Sequence, residues 1–326
     1  MGGLRFSAVE PNSVHRRWEA MARIAHLSDI HFGANDPAIV AGTEAWLAEQ
    51  RPDLVILSGD FTQRARVAQF RAASAYLQRL RDAGHRLLVV PGNHDIPLYD
   101  VVRRFAAPLV RYRRYIAEDL CPWYEDDEVA VLGLNTARSL TFKDGRINAK
   151  QMDLLRSRFA HVPAQKTRIL VTHHPLFAMP IGHGNELSEA VGRHEKAVEA
   201  ACEANVHIAL AGHFHRTYAE AARRMVERAG AALVIQAGTA TSTRLRNDEP
   251  QSFNWIHTHG NDDVELQVIV WCEDRFARAN HIRYRLEEGA WVRRELADAV
   301  PEDAAGAPMS SAGIARSSGC VSNGRA

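Results

Sequence analysis

Short apolar runs alternate with segments of helical periodicity along most of this chain. The runs are RIAHLSD, DLVILSGD, RLLVVPGNHD, VAVLGLNT, RILVTHHP, HIALAGHFH and ALVIQAGT, and their length and composition predict buried strands. Apolar residues recur at spacings of three or four between Val67 and Leu80, and again between Met152 and Phe159, which predicts two helices. This alternation of strand and helix patterns is typical of an α/β fold.

The spacing of the strands carries further information about the topology. The first three predicted strands end about 30 residues apart, which is the length of a βαβ unit. From about Ala231 onward, strand-like runs such as VELQVIVWCED and HIRYRLEEGAWVRRE follow one another with little helix between them. We therefore expect a second sheet in this part of the chain.

The composition is that of an ordinary globular protein. The 326 residues are 46% hydrophobic with a formal net charge of +1, which gives no general attraction to nucleic acid. No run reaches the roughly 18 apolar residues of a membrane-spanning helix, and the first twenty residues do not resemble a signal peptide. The scattered cysteines suggest neither a disulfide framework nor a thiolate zinc site, so we expect a cytoplasmic location.

The two ends of the chain differ from the middle. Residues 1–20 and 301–326 are polar and without a periodic pattern, and the tail is rich in Gly, Ser and Ala. Such segments cannot bury enough apolar surface to offset the entropy lost on ordering. We expect both ends to be disordered, with one domain over residues 21–300.

Polar residues able to bind metals follow five of the predicted strands. Because open α/β sheets present their ligand sites at the carboxyl ends of strands, we expect these side chains to meet at one edge. Taken singly, each motif would more often be structural; five in order indicate one site. They are Asp29-x-His31, Gly59-Asp60, Gly92-Asn93-His94-Asp95, His173-His174-Pro175 and Gly212-His213-x-His215.

The residue types restrict the metal. Carboxylates together with imidazoles favour Mn, Fe, Zn or Co over Mg or Ca, and the absence of thiolates argues against structural zinc. We expect two divalent ions bridged by Asp60, which stands alone after a glycine at the tip of its strand. Two ions, two aspartates and a bridging hydroxide leave a charge of about +1, which attracts a phosphate ester.

In this order, D-x-H, G-D, G-N-H-D, H-x-P and G-H-x-H resemble the calcineurin-like metallophosphoesterase superfamily over roughly residues 22–260. The resemblance implies a double β-sheet sandwich flanked by helices, four layers in all. It also implies that His94 contacts the phosphate and protonates the leaving oxygen. The implied metal ligands form two sets that share Asp60: Asp29, His31 and His215 around one ion, and Asn93, His173 and His213 around the other.

The segments LSDIHFG, SGDFTQRA and VPGNHDIP are more narrowly similar to bacterial class III cyclic-nucleotide phosphodiesterases. The functional hypothesis is a dinuclear-metal-dependent phosphoesterase that hydrolyses a small phosphodiester, with a cyclic nucleotide as one candidate. Metal-bound hydroxide would attack and His94 would act as the leaving-group acid. The alternatives are a DNA or RNA nuclease, which no strongly basic region indicates, and a non-catalytic metal-binding scaffold.

Other polar residues lie near the predicted strand ends. Asn135 and Arg138 follow one strand and Arg244 follows another, and they are candidates for substrate contacts or for turns and caps. The Arg- and Tyr-rich segment 103–115 is either a groove that binds a phosphodiester or a solvated helix face with its aromatic residues packed inward.

The remaining histidines divide into two classes. His26 precedes Asp29 on the same strand and His174 is adjacent to a proposed ligand, so both are expected to orient the site. His183, His257 and His259 lie outside every motif and are expected to be ordinary loop residues.

Overall fold

The computed structural model describes residues 21–140, 144–176, 191–222, 232–245 and 249–295. The expected disordered ends, residues 1–20 and 301–326, lie outside the described residues, as does His183. The strands in chain order are β1 (Ala22–Leu27), β2 (Leu54–Leu57), β3 (Leu87–Val89), β4 (Trp123–Glu125), β5 (Val129–Leu134), β6 (Thr167–Thr172), β7 (Ile208–Ala211), β8 (Tyr218–Ala221), β9 (Leu233–Gln236), β10 (Ser252–Thr258), β11 (Asp263–Cys272), β12 (Arg275–Glu287) and β13 (Ala290–Glu295).

The helices have local signals at their ends. Asp36 caps the first helix by accepting a hydrogen bond from the Ala38 N–H at 2.8 Å, and Asn148 caps the fifth by accepting from the Gln151 N–H at 3.0 Å. In the described ranges the helices are α1 (Pro37–Gln50), α2 (Val67–Asp82), α3 (Val101–Ala106), α4 (Val110–Tyr115), α5 (Ala149–Phe159) and α6 (His194–Glu203). None is long and apolar enough to cross a membrane, as far as the described residues show.

Two mixed sheets make up the centre of the molecule. One has the strand order β13-β12-β11-β10-β1-β2-β3, and the other has the order β4-β5-β6-β7-β9-β8. Aliphatic side chains of both sheets, such as Ile24 and Ile56 from the first and Val131 and Ile169 from the second, pack in one buried cluster between them. The fold prediction of a double-sheet α/β sandwich is therefore confirmed.

Helices cover the outer faces of the sheets. Leu47 of α1 and Phe70 of α2 pack with Phe253 against the first sheet. Leu155 of α5 and Val198 of α6 pack against the second sheet in a separate cluster. The helical periodicity noted between Val67 and Leu80 thus corresponds to the buried face of α2. The order of layers is helix, sheet, sheet, helix.

The seven predicted strands are all present, but the expected origin of the second sheet is wrong. Of the strands that follow Ala231, only β9 belongs to it, because β10 pairs antiparallel with β1 in the register Ile24↔Ile256, and β11 to β13 extend the first sheet. The second sheet comes instead from the middle of the chain, β4 to β9. From β10 onward, consecutive strands are joined without helices because they pair antiparallel with their neighbours. The missing helices therefore do not indicate a new sheet.

Candidate metal centre

The candidate ligands sit in tight loops directly after β1, β2, β3, β6 and β7. A positive φ is rare for residues other than glycine and costs about 1–3 kcal/mol unless the surroundings hold it. Such strain is found preferentially at functional sites. Five of the seven candidate ligands adopt it: Asp29 (54°), His31 (53°), Asp60 (55°), His213 (80°) and His215 (56°).

Glycines allow the loops to approach one another closely. A Cβ added to Gly92 would lie 2.1 Å from Asp60 Oδ1, and one added to Gly59 would lie 2.7 Å from His173 Nδ1. Gly59 also has a φ of +101°, which residues with a Cβ rarely adopt. The glycines of the G-D and G-N-H-D motifs are therefore required by contact between the two loops.

The first group of converging side chains comprises Asp29, His31 and His215, all buried. His215 Nε2 lies 3.1 Å from His31 Nε2 and 3.1 Å from Asp29 Oδ1. His31 Nε2 lies 3.5 Å from Asp29 Oδ1. Donor atoms bound about 2.1 Å from one ion are separated by about 3.0–3.4 Å, so these distances match a single metal site.

The second group comprises Asn93, His173 and His213. Asn93 Oδ1 lies 3.0 Å from His173 Nε2 and 3.1 Å from His213 Nδ1. His173 Nδ1 lies 2.7 Å from the Ser58 carbonyl oxygen, to which it can only donate. That bond fixes the tautomer of neutral His173 so that the lone pair of Nε2 is directed at the cluster.

Asp60 lies between the two groups. Its Oδ2 is 3.8 Å from His31 Nε2 and 3.4 Å from His173 Nε2. Its Oδ1 accepts the His94 backbone N–H at 2.8 Å. One carboxylate oxygen therefore faces a donor atom from each group, as a ligand shared by two ions would.

The charges in the cluster alter the ionisation of its members. Burial alone would raise the pKa of Asp60, but the imidazoles of His173 and His94 hold it far below its usual range. Burial likewise opposes ionisation of Asp29, whose pKa is nevertheless lowered well below normal by His215. Burial would lower the pKa of His173, whereas Asp60 raises it to about 9. Two buried carboxylates thus stay ionised and supply negative charge for cations.

One buried atom supports the fit of a metal to the first group. Asp29 Oδ2 is occupied, since it accepts hydrogen bonds from Ser28 Oγ at 2.6 Å and from the His213 N–H at 2.9 Å. Asp29 Oδ1 is buried and accepts no hydrogen bond of good geometry. Burying a carboxylate oxygen without a hydrogen bond costs free energy of folding. A cation bound at the cluster would offset this cost by pairing with Oδ1.

His94 lies beside the first group without belonging to it. Its ring centroid is 4.9 Å from that of His31 and nearly perpendicular to it. Its Nδ1 lies 2.8 Å from the Gln63 carbonyl oxygen, which can only accept, so Nδ1 carries a hydrogen. The Nε2 atom is therefore the one available to exchange a proton with a substrate.

Asp95, whose role the sequence did not indicate, ties the two loops together. Its buried carboxylate accepts hydrogen bonds from the backbone N–H groups of Gly92 (3.0 Å) and Thr62 (3.0 Å), and from the Thr62 hydroxyl (3.1 Å). Burial and the charge of Asp60 raise the pKa of Asp95 to about 7. Its position directly after His94 was the only available signal, and the loop it would bind is distant in sequence.

Both histidines expected to orient the site are fully or almost fully buried. His26 Nε2 lies 2.9 Å from Ser58 Oγ, so His26 holds the loop that connects β2 to Asp60 through a hydrogen bond. His174 Nδ1 lies 2.8 Å from Thr136 Oγ1, and its ring packs 4.6 Å from that of His213. His174 therefore contacts the second group through the ring of His213.

Two of the three candidate substrate contacts, Asn135 and Arg138, are occupied by protein groups, whereas Arg244 is exposed and makes its contacts here through its backbone. Arg138 donates to the carbonyl oxygens of Asn135 (3.0 Å) and Ala137 (2.8 Å) and contacts Gln151. The Asn135 side chain accepts from the Ala137 N–H at 2.9 Å. The carbonyl oxygen of Arg244 lies 3.3 Å from His215 Nδ1. These contacts give Asn135 and Arg138 structural roles in the turn after β5.

The Arg- and Tyr-rich segment forms α3 and α4. Tyr112 is fully buried and Arg104 is 3% exposed, with its guanidinium donating to the carbonyl oxygens of Ser139 and Pro97. Arg111 donates to the Ala65 carbonyl oxygen at 2.7 Å. Tyr112 therefore packs inward, as the second of the two interpretations expects. The guanidinium groups of Arg104 and Arg111 are bound to backbone carbonyls of the protein itself.

Comparison with known proteins finds relatives in sequence and in fold. A probable cyclic nucleotide phosphodiesterase from Synechococcus is 23% identical over 214 residues, which cover 60% of this chain and 74% of that protein. Among solved structures, a dimetal phosphatase from Danio rerio has a TM-score of 0.55 at 13% identity, covering 80% of this chain and 98% of that one.

A purple acid phosphatase from yellow lupin has a TM-score of 0.60 at 14% identity and covers 79% of this chain. The match spans 53% of the lupin protein, so this chain corresponds to about half of it. These structural matches show a shared fold. The sequence profile described as calcineurin-like phosphoesterase matches residues 22–217, which is more than half of the chain. The protein therefore belongs to the calcineurin-like phosphoesterase family, whose members are metal-dependent phosphoric ester hydrolases.

Proposed function

We propose that this protein is a phosphodiesterase that holds two divalent metal ions between Asp29, His31, Asp60, Asn93, His173, His213 and His215. The observation that carries the proposal is the position of Asp60 Oδ2, 3.8 Å from His31 Nε2 and 3.4 Å from His173 Nε2. Asp60 would serve as a ligand to both ions. The mixture of carboxylate and imidazole favours Mn, Fe, Zn or Co.

When bound, two such ions lower the pKa of coordinated water towards about 7 and stabilise negative charge that develops on the phosphoryl oxygens. The protein's own contribution is to fix the ligands. Ser58 orients His173 through the hydrogen bond to Nδ1, and Ser28 holds one oxygen of Asp29 so that the other faces the cluster. Left-handed backbone at Asp29, Asp60 and His213 keeps these ligands in place.

His94 is the proposed acid for the leaving group. The Gln63 carbonyl oxygen fixes Nδ1 as a hydrogen-bond donor, so Nε2 is the ring nitrogen that would donate a proton to the departing ester oxygen. The hydrogen bond from the His94 backbone N–H to Asp60 Oδ1 holds the main chain of His94 beside Asp60. Proton donation is needed most by alkoxide leaving groups such as a ribose oxygen.

A small phosphodiester is the preferred substrate class, with a cyclic nucleotide as one candidate. The similarity to a probable cyclic nucleotide phosphodiesterase supports this choice. The net charge of +1 gives no support to the nuclease alternative. A non-catalytic scaffold is the less favoured alternative, because every ligand position and His94 carry a side chain competent for the reaction.

The test is a substrate panel offered to purified full-length protein loaded with Mn²⁺. The panel contains cyclic nucleotides, a glycerophosphodiester, a nucleoside monophosphate and single-stranded DNA. The proposal expects hydrolysis of one or more small diesters with much lower rates on the monoester and on DNA. His94→Ala serves as the matched control for contaminating enzymes. Activity on DNA alone would instead support the nuclease, and loss of none of these activities in His94→Ala would remove that residue from the mechanism.

A further inference from the structure

An exposed apolar surface lies on the segment that follows His94. Among the described residues, eight large apolar side chains are exposed, and seven of them lie between Leu98 and Leu140. Val102 is 80% exposed, Tyr99 73% and Phe105 55%. Single exposed apolar residues are ordinary, whereas a group of them marks an interaction surface. We call this group the apolar patch: Leu98, Tyr99, Val101, Val102, Phe105, Val110 and Leu140.

The buried side chain of Arg104 holds the two parts of the patch together. Its guanidinium donates to the carbonyl oxygens of Ser139 at 2.8 Å and Pro97 at 3.1 Å, the residues that directly precede Leu140 and Leu98. Residues three or four positions apart share a face of a helix. The exposed members on α3 follow this spacing: Val101, Val102 and Phe105.

Exposed arginines border the patch. The guanidinium carbon of Arg64 lies 5.6 Å from the centre of the Tyr99 ring. On α4, Arg114 follows Val110 by one helical turn, so both lie on the same face of that helix. Arg64 and Arg114 are both exposed. The patch therefore combines apolar side chains with positive charge.

Acidic residues do not balance this charge locally. Residues 98–114 contain five arginines and a single acidic residue, Asp100, which pairs with Arg103. The next acidic residues along the chain, Glu118 and Asp119, line a cleft together with Arg113. A partner that complements the patch must therefore be both apolar and anionic.

We propose that the apolar patch, with Arg64 and Arg114 beside it, docks this protein on a lipid bilayer that carries anionic headgroups. Valine, leucine and phenylalanine side chains gain free energy at the boundary between headgroups and acyl chains, and tyrosine favours the same region. Guanidinium groups at that depth pair with lipid phosphates. A second copy of the chain fits less well, because two-fold pairing of the patch would bring the arginines of both copies together.

The patch adjoins the candidate metal centre. Leu98 follows His94 by four residues, and Arg64 follows Gln63, whose carbonyl oxygen accepts a hydrogen bond from His94 Nδ1. Docking would therefore bring the loop that carries His94 close to the lipid surface. The proposal goes beyond the phosphodiesterase assignment and does not depend on it, since neither the patch nor the two arginines include a proposed metal ligand.

The experiment measures sedimentation of full-length protein with sucrose-loaded vesicles, in the absence of substrate. The vesicles contain phosphatidylcholine alone, or phosphatidylcholine and phosphatidylglycerol in equal parts. One variant combines Val102→Ser with Phe105→Ser, and a second combines Arg64→Gln with Arg114→Gln. The control combines Arg81→Gln with Arg158→Gln, which removes the same charge from exposed positions near the last residues of α2 and α5.

We expect wild type and control to bind the vesicles that contain phosphatidylglycerol, more weakly as salt is added, and to bind phosphatidylcholine alone less well. Each patch variant, verified by cooperative melting, should lower the partition coefficient by about tenfold or more. Absence of wild-type binding to the anionic vesicles would overturn the proposal, as would wild-type binding by either patch variant. A wild-type dimer in vesicle-free solution that Val102→Ser with Phe105→Ser converts to a monomer would also overturn it, in favour of a second copy.

Discussion

His94 donates its backbone N–H to Asp60 Oδ1 at 2.8 Å, while Asp60 Oδ2 faces both groups of candidate ligands. The proposed acid is thus attached to the proposed bridging ligand through its main chain, and its ring remains free to act separately. Removing the Asp60 side chain removes both connections. Removing the His94 ring leaves the backbone hydrogen bond in place, so the two substitutions are expected to differ in kind.

The first prediction is that Asp60→Ala loses at least one metal ion, whereas His94→Ala keeps the wild-type metal content. The reason is that Asp60 faces a donor atom from each group, whereas His94 lies beside the first group and is not one of the proposed ligands. Elemental analysis of both purified variants, with thermal melting to verify folding, makes the comparison. An Asp60→Ala protein with full metal content and normal turnover would contradict the bridging assignment.

The second prediction concerns the leaving group. His94→Ala should slow hydrolysis of an alkyl or nucleotide ester by about 10²–10⁴-fold, and that of a nitrophenyl ester much less, because nitrophenolate leaves without a proton. The measurement is kcat/KM for wild type and variant on esters of graded leaving-group pKa at equal metal content. Parallel dependence in the two proteins would show that His94 only binds the phosphate.

The third prediction compares two glycines that share a positive φ. Gly59→Ala should disrupt the metal centre, because the new Cβ would lie 2.7 Å from His173 Nδ1 and 2.8 Å from the Gly92 nitrogen. Gly84 has a φ of +89° with no atom within 4 Å of an added Cβ, so Gly84→Ala pays only backbone strain of about 1 kcal/mol.

Metal content and turnover of the two glycine variants provide the check. Gly84→Ala should keep both, with a slightly lower melting temperature. If Gly59→Ala bound metal as tightly as Gly84→Ala, close contact between the loops would not be what requires the glycine.

The fourth prediction concerns the pH dependence of stability in metal-free protein. Asp60 raises the pKa of buried His173 to about 9 from an ordinary value of 6.5. The stabilisation from this proton is complete below pH 6.5 and is lost as the pH rises through 9. Metal-free protein should therefore lose about 2 kcal/mol of stability between pH 7 and 9.

Denaturant unfolding of metal-free wild type and of His173→Gln across this pH range tests the assignment. The variant lacks the titrating group and should show a flatter profile. A profile of equal slope in both proteins would assign the pH dependence to other groups.

Much of the fold follows from local sequence. The apolar runs before Asp29 and Asp60 are short, continuous and followed at once by the candidate ligands, so strand and ligand are specified by the same few residues. Pairing between distant strands is not specified in this way. The pairing of β10 with β1 depends on which strand edge is exposed in the folded molecule, and no local sequence pattern predicts it.

The surroundings of the site were harder to predict for the same reason. Asp95 accepts hydrogen bonds from the backbone N–H and the hydroxyl of Thr62, and the Ser58 carbonyl accepts one from His173 across 115 residues of sequence. His257, expected from the sequence to be a loop residue, lies on β10 opposite Glu265 of β11, because of a pairing that no local pattern predicts. Ligand types were visible in the motifs, but the contacts that orient them were not.

The most direct test of the central claim is activity as a function of metal occupancy. Protein is stripped by exhaustive chelation, its metal content is verified, and hydrolysis of an aryl phosphodiester is followed as Mn²⁺ is added back. The account predicts no activity in the stripped protein, recovery as Mn²⁺ is bound, and no recovery in Asp60→Ala. Full activity of wild-type protein that is verified to be free of metal would contradict it.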